Sequence, residues 1–233
     1  MHHSSTFVNS STLNSRFDDA LIERISANLA RFDSIELDRT GRKHAAIAFT
    51  LVECSEPAAI GNLSHDSSCR DQAGYVLTTR TARLRNHASQ RAFPGGRIDG
   101  DETVEEAALR ELEEEVGLSL GPERILGRLD DYATRSGFVI SPVVVWAGYE
   151  SQLIANPDEV DCIHRVPLEE LLRDDAPILE SIPESEHPVL KMPLGDDWYA
   201  APSAAIAYQF REVALLGRDT RVAHFEQPYF AWK

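Results

Sequence analysis

The sequence predicts an α/β sandwich that forms a single domain. Apolar, strand-like segments alternate along the chain with a few amphipathic helical segments. The chain has 233 residues, of which 42% are hydrophobic and 26% charged, and this is enough for one sizeable core. Because the sequence shows no repeat and no second domain, we expect a flexible tail over residues 1–16 and one domain over residues 17–233, with a helical extension at its C-terminal end.

The first elements of the predicted domain are one helix and two strands. Apolar residues at every third or fourth position predict a packing helix over residues 18–32. The apolar run 45–52 predicts a buried strand, and residues 74–80 predict a second one. The polar stretch 53–72 between them predicts a surface loop.

Further strands are predicted in the second half of the chain. Residues 124–132 and 138–149 have the apolar character of strands. The second is continuously apolar enough to be central, although Pro142 implies a bulge or an edge position. A short strand over 162–167 is expected to lead into a helical turn over 168–172.

The C-terminal part is predicted to be irregular and then helical. Four prolines in residues 177–193 predict an irregular crossing. Residues 203–216 carry an apolar face at helical spacing, and Ser203 is the expected N-terminal cap of that helix.

Charge and cysteine content argue against several classes of protein. With 23 Lys and Arg against 38 Asp and Glu, the net charge is −15, which disfavours nucleic acid or an anionic membrane as the main partner. The three cysteines lack the spacing of a zinc or redox pair, so a reduced, cytoplasmic protein is expected. The first residues have no apolar run that would mark a targeting segment.

Residues 96–118 carry the pattern with the clearest chemistry. Thr103 and Glu106 have the spacing of a capping box and predict a helix start, while Gly117 predicts its left-handed end. At 100° per residue, three carboxylates of this helix share an arc of about 100°; they belong to Glu111, Glu114 and Glu115.

An acidic arc of this kind has two interpretations. Like charges at helical spacing repel each other, so the arrangement is unfavourable unless a cation lies there. Hard oxygen ligands on one face suit Mg²⁺ or Mn²⁺ that shares phosphate oxygens with a substrate. The alternative is a solvated acidic face without a metal, and the spacing alone leaves both open.

The same segment resembles the Nudix box, a Gly, five residues, Glu, seven residues, and Arg-Glu-aliphatic-x-Glu-Glu-x-Gly-aliphatic. The resemblance implies a Nudix-type α/β/α sandwich on a mixed sheet. It also implies metal-dependent hydrolysis of a nucleoside diphosphate linked to another moiety. Every fixed position is filled: Gly96, Glu102, Arg110, Glu111, Leu112, Glu114, Glu115, Gly117 and Leu118.

The resemblance also implies roles for the residues of the box. Glu111, Glu114 and Glu115 would be ligands of Mg²⁺ or Mn²⁺, and the backbone carbonyl of Gly96 would be a further ligand.

Arg110 and Glu102 would orient that cluster. Glu111 or Glu114 would accept the proton of the attacking water, although the family also draws this base from loops outside the box.

The stretch before the box is similar to a signature of the coenzyme A diphosphatase branch of Nudix proteins. This likeness implies cleavage of coenzyme A or acyl-CoA to 4′-phosphopantetheine and adenosine 3′,5′-bisphosphate. Thr81 and Ser89 depart from it, since Ser or Ala and Gly are usual there, and residues 156–172 are again similar to the branch. The matching residues are Leu77, Thr78, Arg80, Arg85, Phe93, Pro94, Gly95 and Gly96.

Substrate binding is predicted at Arg80, Arg85, Arg91 and Gly95. Guanidinium groups can bind phosphates through paired, charge-assisted hydrogen bonds, but each could equally pair with a surface acid. The departures from the signature keep open another diphosphate substrate, such as ADP-ribose or a dinucleotide. A non-catalytic nucleotide-binding module and a homodimer also remain open.

The aromatic residues near the C-terminus allow two interpretations. Trp198, Tyr199, Tyr208 and the tail 224–233 could line an adenine or pantetheine pocket. Packing within the domain or a subunit contact is the expected alternative.

Overall fold

The computed structural model describes residues 15–54, 71–81 and 90–232. In that part of the chain, the helices are α1 (Asp19–Arg31), α2 (Val104–Val116), α3 (Leu168–Leu171) and α4 (Ser203–Phe210). The strands there are β1 (Lys43–Glu53), β2 (Ala73–Arg80), β3 (Arg91–Ala92), β4 (Gly95–Arg97), β5 (Ile125–Arg128), β6 (Tyr132–Ala133), β7 (Phe138–Trp146), β8 (Val160–Pro167), β9 (Ile178–Glu180), β10 (Val189–Leu194) and β11 (Asp197–Ala200).

The main sheet is mixed, as the α/β fold class predicts. Strands β3, β2, β1, β7 and β5 lie side by side in that order. Strand β4 pairs with β1, β6 with β7, and β8 with β2. The pairing of β1 with β7 is parallel, and the other pairings are antiparallel.

The two faces of this sheet are covered by different elements. Along β1, Ala46 and Ala48 pack against α2, whereas Phe49 and Leu51 face the core shared with α1 and α4. This alternation follows from the two-residue period of a strand. The result is the sandwich that the sequence predicts, with α2 on one side and α1 and α4 on the other.

A second, three-stranded sheet of β9, β10 and β11 packs on the side of α1 and α4. Leu190 and Met192 of β10 belong to the same core as Phe49 and Tyr75. The prediction of an irregular crossing over residues 177–193 is therefore wrong for β9 and for the start of β10, where Leu190 and Met192 pack into the core, whereas residues 181–188 between the two strands form no helix or strand.

Two local predictions also need correction. Pro142 lies in a central strand, opposite the gap between β5 and β6, where the neighbouring strand is interrupted. Ser203 is the first residue of α4 and not its cap; Pro202 precedes it and makes no side-chain capping bond. The helix then continues through a wider π-helical turn over Arg211–Leu215.

The described fold begins just before the predicted start of the domain. Ser15 donates to Glu169 at 2.7 Å, and Arg16 forms a bridge with Gln72. The rest of the predicted tail, and the loop between residues 54 and 71, lie outside the described residues. None of the helices in the described part of the chain has the length and apolar character needed to span a membrane.

Candidate active site

Helix α2 holds the acidic residues in a fixed place on the sheet. Its capping box forms as predicted: Glu106 N donates to Thr103 Oγ1 at 3.2 Å, and Thr103 N donates to Glu106 Oε2 at 2.8 Å. Gly117 ends the helix in the left-handed conformation, with φ of +69°. Fully buried residues such as Leu112 anchor the inner face to β1 and β7.

Arg110 connects three of the predicted site carboxylates. Its Nε and Nη2 donate to the two oxygens of Glu102 at 2.7 and 3.0 Å. Its Nη1 donates to Glu111 Oε1 at 2.9 Å and to Glu114 Oε2 at 3.0 Å. The hydrogen bonds from Arg110 lower the pKa of Glu102, and those same bonds raise the pKa of Arg110. Arg110 therefore contacts three carboxylates of the predicted site, and its role in orienting the cluster stays a prediction.

Glu115 is buried without adequate compensation. Its side chain is 1% exposed, its Oε1 lies 3.4 Å from Arg80 Nη1, and its Oε2 has no hydrogen-bond partner. Burial raises the pKa of Glu115 to about 8, and the positive charge of Arg80 only partly opposes this. A buried, unpaired carboxylate oxygen is costly unless a positive partner approaches it.

Two glycines bring the backbone of β4 close to its neighbours. A Cβ atom on Gly96 would lie 2.2 Å from Glu111 Oε1, and one on Gly95 would lie 2.4 Å from the carbonyl oxygen of Ala46. Any side chain at Gly96 would therefore push the Glu111 carboxylate away from β4. The contact of Gly95 with β1 gives that residue a packing role, and its substrate contact stays a prediction.

The oxygen atoms of Glu111, Glu114 and Glu115 are the kind of ligand that a divalent cation prefers. Among the described residues, no group of three or more acidic, His or Cys side chains is arranged to hold a metal ion. Glu114 is 51% exposed and, like Glu111, is bonded to Arg110. Two features fit an oxygen-coordinated ion such as Mg²⁺ or Mn²⁺: the unpartnered oxygen of Glu115, and the space beside Gly96 in which the Glu111 carboxylate lies.

The cations that were predicted to bind substrate lie in different places. Arg80 points toward α2, but Arg91 pairs with Thr79, the preceding residue of β2. Alternate residues of a strand face opposite sides, so Arg91 lies on the other face of the sheet. There its Nη1 donates to Asp197 of β11 at 2.8 Å. Arg85 lies outside the described residues.

The model of the NUDIX domain family matches residues 68–184, which is half of the chain. The chain belongs to the Nudix family. The match includes the whole of residues 96–118, and hence every carboxylate of the cluster around Arg110.

Relatives with similar sequences carry the same family name. Proteins named uncharacterized Nudix hydrolase NudL, from Yersinia enterocolitica and Klebsiella pneumoniae, are 36% identical over 125 residues and 41% identical over 105 residues. The matches cover 51% and 45% of this chain, and 64% and 55% of those relatives. This chain therefore matches a little over half of the length of each relative.

A MutT/nudix family protein from Enterococcus faecalis is a similar solved structure, with 18% sequence identity and a TM-score of 0.49. The superposition covers 72% of this chain and 60% of that chain.

The structure also shows an acid near the Nudix box that the sequence analysis did not single out. Glu159 closes the segment whose Asn156 N donates to the carbonyl oxygen of Glu115 at 3.0 Å. Burial raises the pKa of both Glu111 and Glu115, and the negative charge of Glu159 adds a smaller effect in the same direction. Glu159 is more than forty residues further along the chain, within the stretch 156–172 that resembles the coenzyme A branch. Only that resemblance pointed to it, because no local spacing relates it to α2.

The aromatic candidates divide into buried and exposed residues. Tyr199 is buried, and its hydroxyl lies 3.0 Å from that of Tyr75. Tyr208 is partly buried in the core. Trp198 is 40% exposed, and the Lys191 ammonium lies 3.8 Å from the centre of its ring. Packing thus accounts for Tyr199 and Tyr208, whereas Trp198 remains at the surface.

Proposed function

We propose that this Nudix chain is a metal-dependent diphosphatase. It hydrolyses the diphosphate of coenzyme A or acyl-CoA to 4′-phosphopantetheine and adenosine 3′,5′-bisphosphate. Glu115 carries the proposal, because a carboxylate that is 1% exposed and has one unpartnered oxygen needs a cation. Glu111 and Glu114 lie on the same helical arc and would complete the ligands.

The residues of the chain divide the work between them. Bound Mg²⁺ or Mn²⁺ would neutralise the diphosphate and acidify a water. Arg110, held by Glu102, orients Glu111 and Glu114 through the bonds described above. Arg80 adds positive charge beside Glu115, where a phosphate of the substrate would approach.

The group that accepts the proton of the attacking water is one of three glutamates. Glu111 and Glu114 are the candidates within the Nudix box, and both already bond to Arg110. Glu159 is the candidate outside it, since its charge acts on Glu111 and Glu115. Any of them must lie within hydrogen-bond reach of the water when the substrate is bound.

The coenzyme A assignment is supported by the signature before the box, to which Arg80 belongs. Thr81 and Ser89 depart from that signature, so hydrolysis of ADP-ribose or a dinucleotide is the alternative reaction. A non-catalytic nucleotide-binding module is a third possibility, disfavoured because Glu111, Glu114 and Glu115 are all present.

Product analysis by mass spectrometry tests the proposal. The chain is incubated with Mg²⁺ or Mn²⁺ and, separately, coenzyme A, dephospho-coenzyme A, ADP-ribose and a dinucleoside polyphosphate. We expect the highest kcat/KM with coenzyme A, and Arg80→Ala should raise KM more for coenzyme A than for dephospho-coenzyme A. A preference for ADP-ribose would favour the alternative reaction. If no compound is hydrolysed in the presence of metal, the non-catalytic nucleotide-binding module is the remaining interpretation.

A further inference from the structure

A segment outside the Nudix box covers the end of the helix that carries Glu115. Ile154 N donates to the carbonyl oxygen of Val116 at 2.8 Å, and Asn156 N donates to that of Glu115 at 3.0 Å. The last carbonyls of a helix lack partners within the helix. Residues 151–159 supply backbone N–H donors to two of these carbonyls, so this segment as well as α2 holds the backbone of Glu115.

Both ends of the segment are attached to the main sheet. Arg165 lies in β8 opposite Val76, on the side of α2. Its Nη1 donates to the carbonyl oxygen of Glu53 at 2.9 Å and its Nη2 to that of Ser151 at 2.6 Å. Arg165 thus joins the end of β1 to the start of the segment.

At the other end, Thr81 N donates to the carbonyl oxygen of Glu159 at 2.9 Å. Asn156 closes the turn before it, since its carbonyl oxygen accepts from Glu159 N at 3.1 Å. Thr81 directly follows Arg80, so this end of the segment is attached beside the contact between Arg80 and Glu115.

The attachments act against an electrostatic force. They hold a segment that ends in an acid next to a helix end with several acids, and like charges repel. An unattached surface segment would move Glu159 toward solvent, because hydration stabilises its charge. A guanidinium with two carbonyl acceptors is a strong and directional way to prevent this.

We propose that Arg165 is a positioning residue of the acidic site. It fixes residues 151–159 across the end of α2, and through them it holds the backbone of Glu115 and the position of Glu159. This inference rests on the proposed function only in treating the acidic site as a divalent-cation site. In this role Arg165 acts through the backbone of the segment that it holds.

The test compares Arg165→Met and Arg165→Lys with the control Arg173→Met. Arg173 also donates to a backbone carbonyl, that of Gly195, at 2.8 Å, but it joins α3 to the small sheet. Backbone hydrogen exchange is followed at the amides of Ile154 and Asn156, and the binding of Mn²⁺ alone is measured by calorimetry. Circular dichroism shows whether each variant is folded.

In Arg165→Met we expect exchange at both amides to accelerate at least about tenfold, the size expected for losing a charged hydrogen bond. Affinity for Mn²⁺ should fall by a similar factor. Arg165→Lys should restore part of both, and Arg173→Met should change neither. The proposal is overturned if exchange and Mn²⁺ affinity in Arg165→Met stay within twofold of wild type, or if Arg173→Met has the same effect on both.

Two further outcomes are decisive. If Arg165→Met does not fold, Arg165→Lys takes its place: reduced Mn²⁺ affinity and faster exchange support the proposal, and wild-type values overturn it. Failure of the proposed function is recognised separately. A chain that hydrolyses no diphosphate but loses Mn²⁺ affinity in Arg165→Met keeps this inference, whereas one that hydrolyses coenzyme A with an unaffected Arg165→Met loses it.

Discussion

Two regions of this protein hold buried carboxylates whose surroundings contrast. Between β5 and β6, Asp130 Oδ1 accepts hydrogen bonds from Ile35 N at 2.8 Å and Arg221 Nη1 at 2.6 Å, and its Oδ2 accepts from Gln209 at 2.7 Å. On α2, Glu115 is just as buried, yet one of its oxygens has no partner.

The adjacent Asp131 is satisfied in the same way as Asp130. Its Oδ2 accepts from Leu37 N at 3.0 Å, and its Oδ1 accepts from Ser141 and Arg128. The fold therefore supplies donors where a buried acid has a structural role. Arg80 donates to one oxygen of Glu115, and under the proposed function a cation from solution would satisfy the other.

The largest expected effect is the loss of hydrolysis when the buried acids of α2 are neutralised. Glu115→Gln and Glu111→Gln should each remove several kcal/mol of transition-state stabilisation by metal, which is about a thousandfold in kcat/KM. Circular dichroism should show an intact fold, because glutamine has nearly the same volume as glutamate and its side-chain oxygen can still accept from Arg110 or Arg80.

Glu113→Gln is the matched control, because Glu113 is an exposed glutamate of the same helix. It should leave kcat/KM unchanged. Undiminished turnover in both Glu115→Gln and Glu111→Gln would remove the difference between the two regions.

Neutralising an acid in the other region should reduce stability and leave the chemistry intact. All three groups that contact the Asp130 carboxylate are donors, so the amide of Asp130→Asn can accept from only part of them. We expect the free energy of unfolding to fall by about 2–3 kcal/mol, the range for hydrogen bonds to charged groups. Urea unfolding measures this, and kcat/KM at low temperature should stay within a few-fold of wild type.

Mn²⁺ should increase the free energy of unfolding by binding at Glu115 and not at Asp130. Mn²⁺ at 100 times its Kd should add about 2.7 kcal/mol to the free energy of unfolding, which is about 5–10 °C in Tm for a chain of this size. Glu115→Gln should abolish this shift and Asp130→Asn should keep it. An equal Mn²⁺ shift in Glu115→Gln would show that the ion binds elsewhere.

The parts of the fold that sequence predicted correctly are those with local signals. The capping box at Thr103 and the glycine at Gly117 define α2, and both act within a few residues of their own position. The short strands β9 and β10 carry no comparable signal. They are stabilised by a core that includes Phe49 and Tyr75, more than a hundred residues earlier, and nothing within residues 177–193 reveals that core.

The candidate site divides in the same manner. The arc of Glu111, Glu114 and Glu115 follows from helical periodicity alone. The position of Arg91 depends on its register with Thr79, which decides the face on which it lies, and this register follows from tertiary pairing. Glu159 reaches the site only because the segment before it crosses the end of α2.

The smallest expected effect is on the pH dependence of stability, and it comes from His164. Burial keeps this side chain neutral. Its Nε2 lies 2.7 Å from Thr79 Oγ1, and Cys162 Sγ lies near its other ring nitrogen. Burial, followed by the positive charge of Arg91, lowers the pKa of His164 to about 4.

The unfolded chain, with an ordinary histidine pKa, binds a proton between pH 6.5 and 4 that the folded His164 does not bind. The free energy of unfolding should therefore fall as the pH falls, by about 2 kcal/mol between pH 7 and pH 5. In His164→Gln, which keeps a group opposite Thr79 but does not titrate, urea unfolding should show a flatter pH dependence by this amount. An identical slope in the variant would assign the acid sensitivity to other groups, and would place His164 among the buried groups whose charge the fold tolerates.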